Sequence, residues 1–466
     1  MVRAQRAVAL VTLALLNVFT IAAGAAVIML GPEAGLPIGP RVLHPPPTTP
    51  KAPVLSGLRG GAAPDPQVLS QRLAKPAAAR ALGRLGAVVI DPATGKTLYD
   101  QDSQVGMTPA STTKLATSLA ALSAAGPDHT IATRVVQGAN KSSIVLVGGG
   151  DPELTTARQH ATDYPKMASL ADLAAKTAAK LRASGVTKVM LRFDDSAYSG
   201  PRTAPGWKPN YIPEGNVAPV SALEVDEGRV SNVDDGTDHG ARVSDPPRVA
   251  TQRFAQALRH RGIRVGASTG RVHAAQNAAE LARVESPPLS ALVEHALTVS
   301  DNDMAEALAR QVAIARGRPA SFSGAAQAVT DELGRLGITD GVRLSDNSGL
   351  STRNRISPAA LAKVLSIAAS RGHDKLRAVL TGLPIGGFSG TLAHRYTSGM
   401  SADAAGDVRA KTGTLNGVST LAGVAYDADG RLLVYAFMAG KFGGGLPAAE
   451  LALDRLAATV AGCGCN

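Results

Sequence analysis

Ser111 and Lys114 stand three residues apart near the start of the stretch MTPASTTKLATSLAAL, residues 107–122. A serine hydroxyl is a weak nucleophile until a neighbour takes its proton. On a helix surface, positions i and i+3 are adjacent, with Cβ atoms about 5–6 Å apart, so Lys114 is placed to act as that base. A lysine at its ordinary pKa of about 10.4 is charged at neutral pH and cannot accept a proton. Burial or a second cation must bring it down, and Lys411, introduced below, is a candidate for that cation. The chemistry of such a pair is acyl transfer through a serine ester. The same residues also read as a plain helix terminus, so the pair needs support from elsewhere in the chain.

Two short motifs supply it. Ser300, Asp301 and Asn302 precede a helical run in VSDNDMAEALARQVA, and Lys411, Thr412 and Gly413 lie in the β-like run VRAKTGTLNGVSTLAGVAYD. The glycine there lets a ligand approach the backbone. A second Ser-Asp-Asn, at Ser345, Asp346 and Asn347, competes with the first. Ser300 is preferred because it opens a helix, from which a loop can project the pair toward the nucleophile; Ser345 runs into Ser-Gly and reads as a turn. Ser-x-x-Lys, Ser-Asp-Asn and Lys-Thr-Gly in this order form the motif set of active-site-serine penicillin-recognising enzymes. In that chemistry Lys114 takes the proton of Ser111 and Ser300 relays it to the leaving amine. Asn302 orients Lys114 and bonds the substrate amide, while Thr412 and Thr414 hold a terminal carboxylate with Lys411.

The elements that must position these residues follow from local signals. Thr108 can cap an amphipathic helix with Pro109 at its first position and Leu115, Leu119 and Leu122 at helical spacing. Ser111 then lies in the first turn, where free backbone N–H groups and the positive dipole end favour a developing oxyanion. AVVIDPATGKTLYD (87–100) has the pattern of a β-hairpin leading into that helix. RVVQGA and SSIVLVGGGDP read as strands, residues 167–183 as a helix, and KVMLRFDDS as a buried strand. Gly148 to Gly150 is no phosphate loop, because no Gly-Lys-Ser/Thr follows.

Composition limits the partners. With 466 residues the chain expects more than one folded unit, and with 3% aromatic residues and one Trp its core must be built from Ala, Val and Leu. The net charge of +11 and pI near 9.8 are spread along the chain, without a dense Lys/Arg run or an aromatic surplus for base stacking. Arg3 and Arg6 precede Ala7 to Leu30, 24 residues without a charge, long enough to span a bilayer at about 20 residues. That asymmetry keeps the N-terminus inside and exports the remainder, as an uncleaved anchor or as a signal peptide cut near Ala23 or Ala25. Nucleic acid is thereby excluded as a partner, and an anionic cell-surface polymer fits the basic charge. Residues 31–65, rich in Pro and Gly, read as a semi-rigid spacer.

Metal chemistry has no local signature. DDGTDHG (234–240) groups three Asp with His239 but lacks a recognised ligand spacing and reads as a solvated acidic loop. Cys463 and Cys465 cannot form a zinc site alone; a local disulfide, a link to a second chain and two incidental thiols all remain open. No metal or other cofactor is expected. Asp151 and Glu224 are assigned to structure rather than chemistry.

Taken with GGGDPELT, PGW at 205–207, VAPVSALEVD, SDNDMAE, SDNSGLSTRN, GFSGTLAHR and KTGTLNGVSTLAG, all in order, the chain from about residue 85 to 441 resembles the D-alanyl-D-alanine carboxypeptidase/endopeptidase family, the class C low-molecular-mass penicillin-binding proteins. The resemblance implies an α/β (α+β) fold: a penicillin-binding/β-lactamase-like catalytic domain, its antiparallel sheet between helical layers, interrupted by a mixed α/β insertion. The 189-residue gap from Ser111 to Ser300 has room for it. The expected divisions are 1–30, signal anchor or signal peptide; 31–65, linker; 66–127 and 284–466, the catalytic domain; and 128–283, the insertion. The resemblance also implies an oxyanion hole from the backbone N–H groups of Ser111 and Thr414, peptidoglycan stem peptides ending in D-Ala-D-Ala as substrate, and β-lactams as acylating inhibitors of Ser111. Carboxypeptidase and endopeptidase action would use the same residues. A class A β-lactamase shares the three motifs but carries a Glu-x-x-Leu-Asn loop; here Glu332 is followed by Arg335 where leucine should stand. A catalytically silent wall-binding protein of the same fold is the other alternative.

Overall fold

In sequence order, the LLVYAFMAG run is the most continuously apolar stretch of the C-terminal half, and it becomes the middle strand of the main sheet. The computed structural model describes residues 61–159, 165–230, 240–266 and 270–464. The 7–30 segment, nearly all of the 31–65 spacer, nearly all of the 234–240 loop and Cys465 lie outside the described residues.

The main sheet has the order β10-β11-β12-β1-β2, antiparallel throughout. Its strands are β1 (Arg84–Asp91), β2 (Lys96–Gln101), β10 (Val408–Leu415), β11 (Val418–Tyr426) and β12 (Leu432–Gly440). β1 and β2 form the hairpin expected from the Pro/Gly turn. β11 and β12 are buried on both faces, which explains why they read as unbroken apolar runs rather than alternating ones. One face is covered by α1 (Pro66–Ala77) and the C-terminal helix α10 (Leu446–Ala461), through Leu69, Leu73, Leu453, Leu456 and Val460 packed on Leu421, Tyr435 and Phe437. Cys463, just past α10, is fully buried there and is disulfide-bonded.

The other face meets α8 (Pro358–Ala369), and beyond it α2 (Thr113–Ala125). Around α2 pack α5 (Leu289–Thr298), α6 (Asn302–Ala315) and α7 (Phe322–Arg335). Thr113 to Leu122 are consequently buried on every side, so α2 is a central helix and not the amphipathic one its leucine spacing suggests. Its hydroxyls bond backbone carbonyls, Thr113 to Ala110 (2.8 Å) and Thr117 to Asn347 (2.7 Å), which offsets the cost of enclosing them.

A second five-stranded sheet, of order β6-β5-β4-β3-β7, is built from β3 (Ala132–Gln137), β4 (Ser143–Val147), β5 (Lys188–Asp194), β6 (Arg264–Val265) and β7 (Glu280–Glu285). β4, β5 and β6 run parallel and the rest antiparallel, so this sheet is mixed. With α3 (Leu170–Ala183) and α4 (Pro246–His260) it encloses its own apolar cluster, including Leu146, Leu173, Leu191 and Phe254. β5 is not the buried strand anticipated: Lys188, Met190 and Arg192 point outward, and only the alternate residues face the cluster. Of the remaining elements, β8 (Val342–Arg343) pairs with β9 (Arg355–Ile356), and α9 (Ala378–Thr381) follows α8.

Leu421 is fully buried and directly opposite Thr412 in the β10/β11 register. Leu421→Ala is expected to lower unfolding stability by about 2–5 kcal/mol, measured by urea denaturation.

Candidate active site

Ser111 sits where β10 meets the entry to α2. The entry is a tight 3₁₀ turn over Ala110–Thr112, and the regular helix begins at Thr113. Thr108 does not cap it. Ala110 takes a positive φ of 49°, which breaks the helical path, and the Thr108 hydroxyl accepts from Arg355 Nη1 instead (3.1 Å). A left-handed alanine costs energy that the surroundings must supply. They do so through Gly349, which packs so closely that a Cβ there would lie 1.9 Å from the Ala110 carbonyl oxygen, and through Thr420, whose hydroxyl donates to the Pro109 carbonyl (2.9 Å). On the strand side, a Cβ on Gly413 would come within 3.0 Å of the Ser111 nitrogen and 2.7 Å of the Pro109 oxygen. Only glycine lets β10 run this close to the serine. Thr414 follows it at the exposed end of the strand.

The Lys114 amine is fully buried and has three neighbours: Asn302 Oδ1 at 2.7 Å, the Ser348 carbonyl oxygen at 2.8 Å and Ser111 Oγ at 3.1 Å. The first two can only accept. A neutral amine donates to both, and its lone pair then faces the serine hydroxyl, the one neighbour able to donate. Burial lowers the Lys114 pKa to about 8, against the upward pull of Asp301, Asp346, Glu306 and Asp303. Desolvation, not the proximity of Lys411, is what brings this amine down. The repulsion between the two amines bears on Lys411, which is held well below the ordinary amine range first by burial and then by the charge of Lys114.

Ser300 occupies the left-handed position that ends α5. Its φ is 65°, and the next amide, of Asp301, donates back to Ala296 (3.1 Å), as in a helix terminus that usually carries glycine. The strain turns the Ser300 hydroxyl toward Lys411, whose Nζ donates to it at 2.9 Å and to the Thr412 carbonyl at 2.9 Å. Asp301 then caps α6 by accepting from Met304 N (2.8 Å), so the residue after it, Asn302, stands at the helix start facing Lys114. Asn302 Nδ2 donates to the Asn216 carbonyl (2.8 Å), and Thr412 Oγ1 lies 2.8 Å from Thr391 Oγ1. Ser111, Lys114, Ser300, Asn302, Lys411, Thr412 and Gly413 are thus brought together.

The second Ser-Asp-Asn is a support. Asp346 is fully buried and accepts from Trp207 Nε1 (2.7 Å), Asn354 Nδ2 (2.6 Å), Ser351 N (2.7 Å), Gly349 N (3.1 Å) and Ser348 Oγ (3.1 Å). Glu306 Oε1 on α6 accepts from Asn347 N (2.9 Å) and Ser348 N (2.8 Å), and its other oxygen is paired with buried Arg310 (3.0 Å). These bonds fix the turn whose Ser348 carbonyl faces Lys114. Sequence reading missed Ser348, Asn216 and Thr391. The first two act through main-chain carbonyls, which no side-chain pattern reports. Glu306 had a signal, since it lies four residues after Asn302 on one helix face.

A serine that follows a strained alanine and faces a buried lysine, beside a glycine strand and between two helical layers, defines a serine acyl-transfer enzyme. The chain belongs to the D-Ala-D-Ala carboxypeptidase 3 (S13) family, whose model matches residues 67–240 and 230–460, and it is a D-Ala-D-Ala carboxypeptidase. A carboxypeptidase from Mycobacterium tuberculosis is 38% identical over 435 residues, covering 92% of this chain and 91% of that protein. Carboxypeptidase DacB from Mycolicibacterium smegmatis is 36% identical over 426 residues, covering 91% and 90%. The crystal structure of penicillin binding protein 4 from Haemophilus influenzae has the same fold, with a TM-score of 0.66 at 23% identity, over 84% of this chain and 98% of that one.

Asp346→Ala would strand four buried donors and the half-buried Trp207 indole N–H. The expected loss is about 3–5 kcal/mol of stability, read in urea from the fluorescence of Trp207, the single tryptophan.

Proposed function

We propose that Ser111 is the acylated nucleophile and Lys114 its general base, acting on peptidoglycan stem peptides that end in D-Ala-D-Ala. The observation that carries this reading is the Lys114 amine with two acceptor-only partners and the Ser111 hydroxyl as its third. Ser111 Oγ attacks the carbonyl carbon of the penultimate D-alanine, and its proton passes to Lys114 Nζ. The oxyanion is held by the backbone N–H groups of Ser111 and Thr414, at the meeting of the 3₁₀ turn and β10. Collapse breaks the C–N bond. The leaving D-alanine amine receives its proton through Ser300, and water then attacks the ester with Lys114 again as base.

Lys411, Thr412 and Thr414 receive the terminal carboxylate. An arriving carboxylate gives buried Lys411 the counter-charge it lacks in the free site, so binding draws a proton onto that amine. Asn302 fixes Lys114 with its oxygen. The same groups serve a DD-endopeptidase where the cleft admits a cross-linked peptide, and β-lactams present the same carboxylate and a strained amide to Ser111. The Ala7–Leu30 segment is proposed as the membrane anchor, or as the signal peptide of a secreted form; among the described residues no helix is long and apolar enough to cross a membrane.

A β-lactamase reading lacks its deacylating carboxylate. Glu332 is tied to Arg316 Nε (2.7 Å), Arg335 Nη1 (2.9 Å) and Ser123 Oγ (2.6 Å) as a structural anchor. A silent wall-binding protein has no use for two buried amines and two left-handed non-glycine residues at one site.

The test is D-alanine release from a D-Ala-D-Ala-terminated pentapeptide. Ser111→Ala is expected to abolish it, and Lys114→Met to lower kcat/KM by about 10²–10⁴; release by folded Ser111→Ala at the parent rate would refute the assignment. The active base is the neutral amine, so kcat/KM should climb as pH rises through about 8, the Lys114 value, and level off above it. A profile flat from pH 6 to 9 would contradict Lys114 as the base.

A further inference from the structure

Behind the Ser300 turn, among the described residues, enclosed carboxyl groups outnumber the guanidiniums that face them. Asp151 and Glu153 on the segment after β4, Glu224 and Glu227 before α4, and Asp301 and Asp303 at the start of α6 lie within electrostatic reach of one another. The guanidiniums facing them are Arg242, paired with Glu227 (3.2 Å) and Asp303 (3.4 Å), and Arg229, paired with Glu227 (2.7 Å). Arg310 near Tyr198 is committed to Glu306. Enclosed carboxylates in such excess need protons or a cation.

At the edge of this cluster three donors converge from three separate elements. Glu153, His295 in the last turn of α5, and Asp301 each offer one ligand atom, and these atoms lie within 4.8 Å of one another. Glu153 is nine-tenths buried, and its Oε1 takes no hydrogen bond although it lies 3.8 Å from His295 Nε2. Asp301 commits one oxygen to Met304 N as the α6 cap, and its carboxyl meets that of Glu153, a contact that needs a shared proton unless a cation takes its place. His295 is partly exposed and gives solvent access.

We propose that Glu153, His295 and Asp301 form a site for one divalent transition-metal cation, with zinc the ion that best suits one imidazole and two carboxylates. Zinc bound by such donors sits about 2.0–2.2 Å from each, with three protein ligands and water in the fourth position. Donor atoms around it then stand about 3.3–3.6 Å apart. The Glu153–His295 pair is nearly there, and the widest separation closes by about 1 Å through rotation of side chains at the open edge. Carboxylate and imidazole donors at this count favour zinc over calcium, which takes six to eight oxygens. The ion would not touch the reacting atoms. It would cross-link the segment after β4 to the turn that carries Ser300 and Asn302, neutralise part of the enclosed charge, and hold that turn in its left-handed form. Glu153 lies far in sequence from His295 and Asp301, and the six-residue step between those two matches no recognised ligand spacing, so no motif announces the site.

The test uses the full-length protein, stripped with chelator and desalted. Zinc chloride is titrated by calorimetry, bound metal is counted by mass spectrometry, and calcium chloride is run in parallel. The expected result is one zinc per chain, at least tenfold weaker binding in both Glu153→Gln and His295→Ala, and an upward shift of the thermal midpoint with zinc in the parent alone. Circular dichroism separates loss of the site from loss of the fold, and His295→Ala, at the exposed edge, carries the test if Glu153→Gln does not fold. No zinc bound by the parent, zinc bound equally by both folded variants, or calcium bound in preference to zinc would each overturn the proposal.

Discussion

The structure depends on keeping one primary amine dry. Lys114 is completely enclosed, and the loss of hydration is what brings its pKa near 8, where a useful fraction is neutral at physiological pH. Enclosure alone would leave an amine with nothing to donate to. The Asn302 side chain and the Ser348 carbonyl supply two acceptors in the directions that turn the remaining lone pair toward Ser111. Much of the surrounding architecture holds those two acceptors in place. The Arg310–Glu306 pair inside α6 fixes the Asn347–Ser348 turn, Asp346 closes that turn from within, and the Asn216 carbonyl fixes the Asn302 amide.

Strain is concentrated at the same place. Ala110 and Ser300 both adopt left-handed backbone conformations, one immediately before Ser111 and the other at the hydroxyl facing Lys411. Each resists relaxation because its neighbours leave no room or because a helix must end there. Gly349 and Gly413 close in on the first, and the α5 terminus defines the second. Fixed positions of this kind reduce the reorganisation needed when charge develops in the reaction. Segments distant in sequence contribute to one small volume: Asn216 comes from the long stretch between Ser111 and Ser300, and Thr391 from the loop before β10.

Much of this was legible in the chain, because the relevant signals are short range. The Pro/Gly turn of residues 87–100 does form a hairpin, the helix after Asp301 starts at Asn302, and Lys411 to Thr414 lie in a strand. The order of the three motifs and five further segments was enough to name the family. Less visible were features set by packing. α2 looks amphipathic from its leucines but is surrounded by helices, and the Thr108 hydroxyl is diverted to Arg355. Of the two causes expected to depress Lys114, burial and the charge of Lys411, burial does the work. The choice between Ser300 and Ser345 was sound in separating a residue that opens a helix from one that sits in a turn, but the turn has a function of its own, through a carbonyl that carries no residue identity.

The most direct test of the central claim is intact-mass spectrometry of the full-length protein after incubation with benzylpenicillin, beside Ser111→Ala. The account predicts one penicilloyl adduct on the parent, slowly lost, and none on the variant. An unmodified parent that is demonstrably folded, or an adduct that persists in Ser111→Ala, would contradict it.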